Sequence, residues 1–267
     1  EKEIAINKRD FTFQLNKKFI SFDAIFVALH GPPAENGLIQ PYFEKLKIPY
    51  TCCNSAVSDL TFDKYECNKR LNQLGFNCAK SYIYEAGNTI DTDSIIKRIG
   101  IPCFVKPNGA GSSYGISKVN HKSNLEIAIN HALEHDNKVL IEQAINGTEI
   151  SVGVFSNGQS IEALPITEIV SENDFFDYEA KYNGKSEEIT PARISKSLTK
   201  DIQKETIKIY FNDNDSNNAW ITNTQKNFDT QTKWTKNTKR SIMSYVQFTF
   251  FYWRFPFLLK SRSLREI

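Results

Sequence analysis

Apolar and polar positions change period several times along the chain, and each change predicts an element. FDAIFVALHG, residues 22–31, is nearly continuous in apolar character and predicts a short buried strand ending at His30 and Gly31. In LIQPYFEKLKIPYT, residues 38–51, apolar side chains recur at helical spacing until Pro49, which cannot continue a helix. TFDKYECNKRLNQLG, residues 61–75, predicts a helix capped by Thr61 or Asp63, whose oxygens can accept from first-turn N–H groups, and ended by Gly75. IPCFVKP (101–107) and YGISKV (114–119) read as strands, SNLEIAINHALEH (123–135) as an amphipathic helix, and KVLIEQ (138–143) and EISVGVFSNGQSIEALPITEI (149–169) as further strands. This mixed order with antiparallel hairpins predicts α+β layers rather than one doubly wound sheet, and no internal repeat interrupts it.

From about residue 211 the pattern is lost. All three tryptophans (Trp220, Trp234, Trp253) fall in the last 57 residues, and no glycine follows Gly184. SYVQFTFFYWRFPFLL, residues 244–259, is aromatic without a period, is broken by Arg254 and Pro256, and is shorter than the roughly 20 apolar residues of a membrane span. Residues 211–267 are therefore expected to be a foreign or out-of-frame tail, disordered or poorly packed.

With 267 residues, 40% of them hydrophobic, the chain can bury a core, and its net charge of +2 gives no reason to invoke nucleic acid. Cys52, Cys53, Cys67, Cys78 and Cys103 show no C-x-x-C spacing, so neither a disulfide framework nor a zinc knuckle is predicted. Reduced thiols in a cytoplasmic protein are the simplest reading. The charged opening EKEIAINKRD has no signal-peptide run, and the missing initiator methionine predicts a start inside a longer protein.

The densest candidate chemistry is FVKPNGAGSSYGISKV, residues 104–119. A P-loop places its lysine after the glycines and leads into a helix, whereas Lys106 precedes Gly109, Gly111 and Gly115 and a strand follows. The dinucleotide fingerprint fails on both spacing and the missing helix. What remains is a strand, loop, strand flap. Glycines and serines let backbone N–H groups approach an anion, and Lys106 can supply charge to phosphate oxygens. The alternative is a mobile surface hairpin with a solvated lysine. A second window, VLIEQAINGTEISVGVF, ends a strand at Glu142, turns at Asn146 and Gly147, and starts again at Glu149. The linker could pair with an adenine edge, and a carboxylate beyond it could accept from ribose hydroxyls. Glu142 and Glu149 read equally as surface charges at strand ends.

Two further patterns compete. HALEH sets His131, Glu134 and His135 in the H-x-x-E-H order of an inverted zinc peptidase, with both histidines on one helical face. No persuasive third ligand follows, and Asn130 and Asp136 flank the motif like a solvated face. Asn146-Gly147-Thr148 matches a glycosylation sequon, which is idle without secretion.

FVALHGPPAENGLIQPYFEKLKIPYT, TFDKYECNK, FVKPNGAGSSYGISKV, VLIEQAINGTEISVGV and LPITEIVSENDFFDYEAKYNGKSEEITPARIS, in this order, resemble the D-alanine-D-alanine ligases, ATP-grasp enzymes of bacterial cell-wall (peptidoglycan) synthesis. The specific elements are H-G-x-x-x-E-x-G, K-P-x-x-x-G-S-S-x-G and D-Y-E-A-K-Y, and the resemblance runs from about residue 20 to 210.

The resemblance implies an ATP-grasp architecture with a partial N-terminal α/β domain to residue 59, a central nucleotide-binding domain over 60–146, and an incomplete catalytic domain over 147–210. It implies that Lys64 and Lys106 hold ATP phosphates and that the loop carrying Gly111, Ser112 and Ser113 covers them. Glu142, Gln143, Ala144 and Ile145 would form the adenine linker, with Glu149 at the ribose. Lys181 would reach the terminal phosphate, Ser112 and Tyr182 would close a loop over the site, and His30 would lie beside the first D-alanine. The implied ligands are ATP, two D-alanine molecules and Mg2+ or Mn2+. Neither nucleic acid nor membrane is an expected partner, and a homodimer is compatible.

The sequence also departs from the family. The first strand and helix that orient the first D-alanine have no counterpart before residue 20. The E-x-N-x-x-P-G segment and the arginine that supply metal carboxylates and an oxyanion contact are not found after Tyr210. Asp213 and Asp215 do not match that pattern, so no metal ligand is assigned. These departures imply a truncated ligase, or an inactive nucleotide-binding remnant, that makes no D-alanyl-D-alanine at a useful rate.

Overall fold

The computed structural model describes residues 4–111, 114–156, 160–171 and 186–210, so the expectation for residues 211–267 lies outside the described residues. Two compact units are present, one built from the residues up to Asp59 with Val154–Glu162, the other from Leu60–Gly153 and Ala163–Ile209.

In the first unit, β1 (Phe13–Leu15) and β2 (Lys18–Ile20) form a hairpin. Its two turn residues, Asn16 and Lys17, both have positive φ, the geometry that matches the twist of a tight hairpin. α1 (Gln40–Leu46) begins with a proline in its first turn and ends at Lys47, which adopts the left-handed conformation two residues before Pro49. The helix therefore stops where the sequence predicts. Phe43 of α1 packs with Val27, Ala34 and Tyr50 into a small core, with the ring of Phe11 edge-on at 5.4 Å.

The strand expected over residues 22–31 does not form. Ile25 makes one isolated parallel bridge with Tyr50, and the segment is otherwise irregular. Val27 is buried, but Phe26 and Leu29 are more than two-fifths exposed. Apolar content supplies the reason to bury a strand, but a ladder also needs a neighbour along its length, and here it has one at a single position.

The second unit is organised by a four-stranded antiparallel sheet in the order β3-β6-β4-β5: β3 (Ser81–Glu85), β6 (Lys138–Gln143), β4 (Cys103–Pro107) and β5 (Ser117–Val119). α4 (Thr92–Ile99) and α5 (Leu125–Leu133) cover one face. Asp91 caps α4 by accepting from the N–H of Ser94, and Ile95 and Ile99, four residues apart, enter the core. Leu125, Ala128, Ile129 and Ala132 of α5 meet Cys103, Val105, Val119, Val139 and Ile141 of the sheet. Full burial of each larger side chain contributes about 1.5–3 kcal/mol.

α2 (Ser55–Phe62) leads into α3 (Lys64–Gln73), which Asp63 caps through the N–H of Glu66. Of the two predicted caps, Asp63 is therefore the one in place, and Thr61 lies inside α2. A three-stranded antiparallel sheet orders β11-β10-β7 from β7 (Glu149–Ser151), β10 (Thr167–Ser171) and β11 (Ser186–Ile189). β8 (Val154–Ser156) pairs with β9 (Ile161–Ala163), so the predicted strands over 149–169 are four short ones. α6 (Lys196–Tyr210) is the last described element. The backbone N–H of Arg193 and its guanidinium both donate to Glu168 of β10, tying the segment before α6 to the sheet and holding the Glu168 carboxyl down to about 2. Among the described residues no helix is long and apolar enough to cross a membrane.

Candidate nucleotide-binding site

β4 and β6 pair in the register Phe104↔Glu142 and Lys106↔Leu140. Because side chains alternate across a strand, Cys103 and Val105 point into the helix-covered core, and Phe104 and Lys106 share the opposite face with Leu140 and Glu142. Lys106 and Glu142 are diagonal neighbours on that face, within reach of long side chains. Their Nζ and Oε1 form an ion pair, with 18% and 9% of the side chains exposed.

A second lysine arrives from α3. Lys64, the first residue after the Asp63 cap, directs Nζ to the carbonyls of Asn108 at 3.0 Å and Ala110 at 2.5 Å. Burial, and then the charge of Lys106, push its ammonium down to about 7 against the opposing pull of Glu142, Asp136 and Asp63. Two cationic side chains thus converge on the root of the glycine loop.

That root is fixed. Asn108 is 3% exposed; its N–H donates to the carbonyl of Lys138, and its Oδ1 accepts from the N–H of Tyr65 at 2.9 Å. The N–H of Gly109 donates to Asp136 Oδ2 at 2.5 Å, and a Cβ there would lie 3.2 Å from that oxygen and 3.5 Å from the Phe62 ring. Asp136 Oδ1 accepts from the N–H of Lys138, so one carboxylate joins the loop to the start of β6. Asn108 and Asp136 are absent from the sequence-based site. Asn108 sits in K-P-N-G, which reads as turn chemistry, and Asp136 reads as a solvated flank of H-x-x-E-H.

Beyond the root, Gly111 is exposed. The chain returns at Tyr114, whose N–H donates to the carbonyl of Gly111 at 3.3 Å, and at Gly115, whose φ of +67° is a left-handed conformation. Ser112, Ser113, Lys181 and Tyr182 lie outside the described residues.

Gln143, Ala144 and Ile145 continue from β6 as a partly buried linker. The N–H of Gln143 donates to the carbonyl of Lys80 and that of Ala144 to the carbonyl of Pro102. Among the described residues no acceptor takes the N–H of Ile145, which makes it the linker amide available to a ligand. Glu149 opens β7, opposite Ile169 of β10. His30 belongs to the other unit, where its exposed ring lies 3.4 Å from a Glu35 oxygen.

Chemically, the face offers two ammonium groups, a glycine-bearing turn and a nearby backbone donor. This set suits a ligand with several anionic oxygens and a planar hydrogen-bonding end. A phosphate arriving there would draw Lys64 from two neutral carbonyls and share Lys106 with Glu142.

A family model described as the D-ala D-ala ligase C-terminus matches residues 71–217, more than half of the chain. The D-alanine-D-alanine ligase of Flavobacterium johnsoniae is 50% identical over 208 residues, covering 78% of this chain and 64% of that protein. The D-alanine-D-alanine ligase of Azobacteroides pseudotrichonymphae is 47% identical over 210 residues, covering 78% and 65%. Among solved structures, the VanG D-Ala:D-Ser ligase from Enterococcus faecalis superposes with a TM-score of 0.67 at 33% identity, over 78% of this chain and 61% of that one. The chain spans a little under two thirds of the length of these curated relatives.

Proposed function

The chain belongs to the D-alanine-D-alanine ligase family, and on that premise we propose that it serves ATP-dependent ligation of two D-alanine molecules in peptidoglycan synthesis, in the cytoplasm where ATP is available. The observation that carries this reading is the convergence of Lys64 and Lys106 at the root of the glycine loop, one on two loop carbonyls and the other on Glu142.

In this reading the adenine edge meets the Ile145 N–H beside Glu142, Gln143 and Ala144, and the ribose lies toward Glu149. The phosphates lie over Lys106 and Lys64, under the loop of Gly111, Ser112 and Ser113. Lys181 serves the terminal phosphate, Ser112 and Tyr182 close the site, and His30 stands beside the first D-alanine. The division of residues 60–210 into a nucleotide-binding part to residue 146 and a catalytic part beyond it belongs to the same proposal.

The chemistry requires such a face. A D-alanine carboxylate is a poor electrophile until one of its oxygens takes the γ-phosphoryl group and ADP leaves. The amine of the second D-alanine then attacks the acyl carbon, phosphate departs with the C–O bond, and the amine sheds a proton to leave the peptide bond. The first step brings two anions together, and fixed ammonium groups neutralise the charge that accumulates. The family's divalent ion calls for hard oxygen donors. Among the described residues the one cluster of three metal-capable side chains is His131, Glu134 and His135, whose imidazoles do not suit Mg2+, so these residues do not supply that site.

The test is phosphate release from ATP, measured on the protein that carries this sequence. Release that requires D-alanine supports the ligase; saturable ATP binding without such release identifies a nucleotide-binding remnant.

A further inference from the structure

We propose that His131, Glu134 and His135 form a surface site for a transition-metal ion of the Zn2+, Co2+ or Ni2+ class, at the C-terminal end of α5 and against the returning end of the glycine loop.

The end of α5 sets the donors together. His131 lies in the last turn of the helix, Glu134 caps it and donates its N–H to the carbonyl of His131, and His135 follows in the same tightened turn, donating its N–H to the carbonyl of Ala132. One ligand atom from each falls within 4.8 Å of the others. All three residues are exposed, so coordination needs no buried charge, and water can complete the coordination shell. Two imidazole nitrogens with one carboxylate oxygen favour borderline ions over Mg2+.

The rings are also held. His135 packs with the Tyr114 ring at 6.3 Å, and a Cβ on Gly115 would lie only 2.5 Å from its Cδ2. His131 stands edge-on to His135 at 5.9 Å, with the Ser117 hydroxyl 3.4 Å from its Nδ1. Contacts to one side of a metal-binding ring orient the other. In an inverted zinc peptidase the glutamate of H-x-x-E-H serves as the base. Here a Glu134 carboxylate oxygen lies within 4.8 Å of a nitrogen of each imidazole, close enough to serve as the third donor. The five cysteines do not compete well, because burial pushes their thiols up to about 11 or 12 and metals bind the thiolate.

The test is titration of Co2+ into the full chain without nucleotide, followed by visible absorption. The expected result is one Co2+ per chain with no thiolate charge-transfer band and no displacement by excess Mg2+. Loss of a ligand should cost no less than the roughly 10- to 100-fold typical of a supporting partner, so His131→Asn and His135→Asn should each weaken binding at least that much. Glu134→Gln, which removes a donor without touching the ring packing, should weaken it severalfold and keeps the test standing if a histidine variant folds poorly. No stoichiometric binding, a thiolate band, displacement by Mg2+, or unchanged affinity in the folded variants would overturn the proposal. The readout needs neither ATP nor D-alanine, so its failure leaves the ligase reading intact.

Discussion

Lys106 of β4 and Glu142 of β6 meet as an ion pair on the sheet face opposite α4 and α5, diagonal to one another in the antiparallel register. Removing one partner of a largely buried pair leaves the other charge without compensation, whereas replacing both with apolar side chains is often neutral. Glu142→Ala is expected to cost about 3 kcal/mol of stability. The double variant Lys106→Met/Glu142→Leu should recover most of it. Urea midpoints of the two variants against the parent check this.

Lys64 ties stability to pH with a defined sign. Its folded value is about 7 against 10.5 for the free side chain. Below pH 7 the protein carries the full cost of a charged, desolvated Lys64. Between about 7 and 10.5 the unfolded chain holds a proton that the folded one has shed, so stability rises with pH. Lys64→Met should therefore be more stable than the parent at pH 6, with the difference shrinking by pH 10. Denaturation of both proteins across that range, compared at each pH, tests it.

Phosphate oxygens favour the charged form of Lys64, so ATP binding at pH 8 should take up a proton. Calorimetry in two buffers of different ionisation enthalpy should give different apparent heats for the parent. The same comparison on Lys64→Met should give a smaller difference.

Gly115 is held by both conformation and space. A side chain at φ +67° costs about 1–2 kcal/mol in the left-handed region. The added Cβ would also lie 2.5 Å from His135 Cδ2 and 2.9 Å from Pro107 Cγ. Gly115→Ala should lower the melting temperature, and adding His135→Ala should restore only part of the loss, because the backbone term remains.

Much of this arrangement was legible in the sequence. KVLIEQ corresponds residue for residue to β6, Asp63 caps α3, and Lys106 stands on a strand running into a glycine loop. These features are local, since propensity, cap and turn chemistry are written within a few residues. Asn108 and Asp136 were not legible because their roles depend on partners far along the chain, Tyr65 for one and Gly109 for the other. Residues 22–31 show the converse limit, in which an apolar run without a partner along its length remains irregular. α4 was missed despite a readable signal, the Asp91 cap followed by Ile95 and Ile99.

Calorimetric titration of ATP into the protein and its Lys106→Ala variant shows whether this sheet face holds ATP through its lysines. The expected result is saturable one-to-one binding by the parent. The variant should lose about 1.5–3 kcal/mol, the range for hydrogen bonds to charged groups, or roughly 10- to 150-fold in affinity. Equal affinity of the two folded proteins, or no ATP binding by the parent, would contradict it.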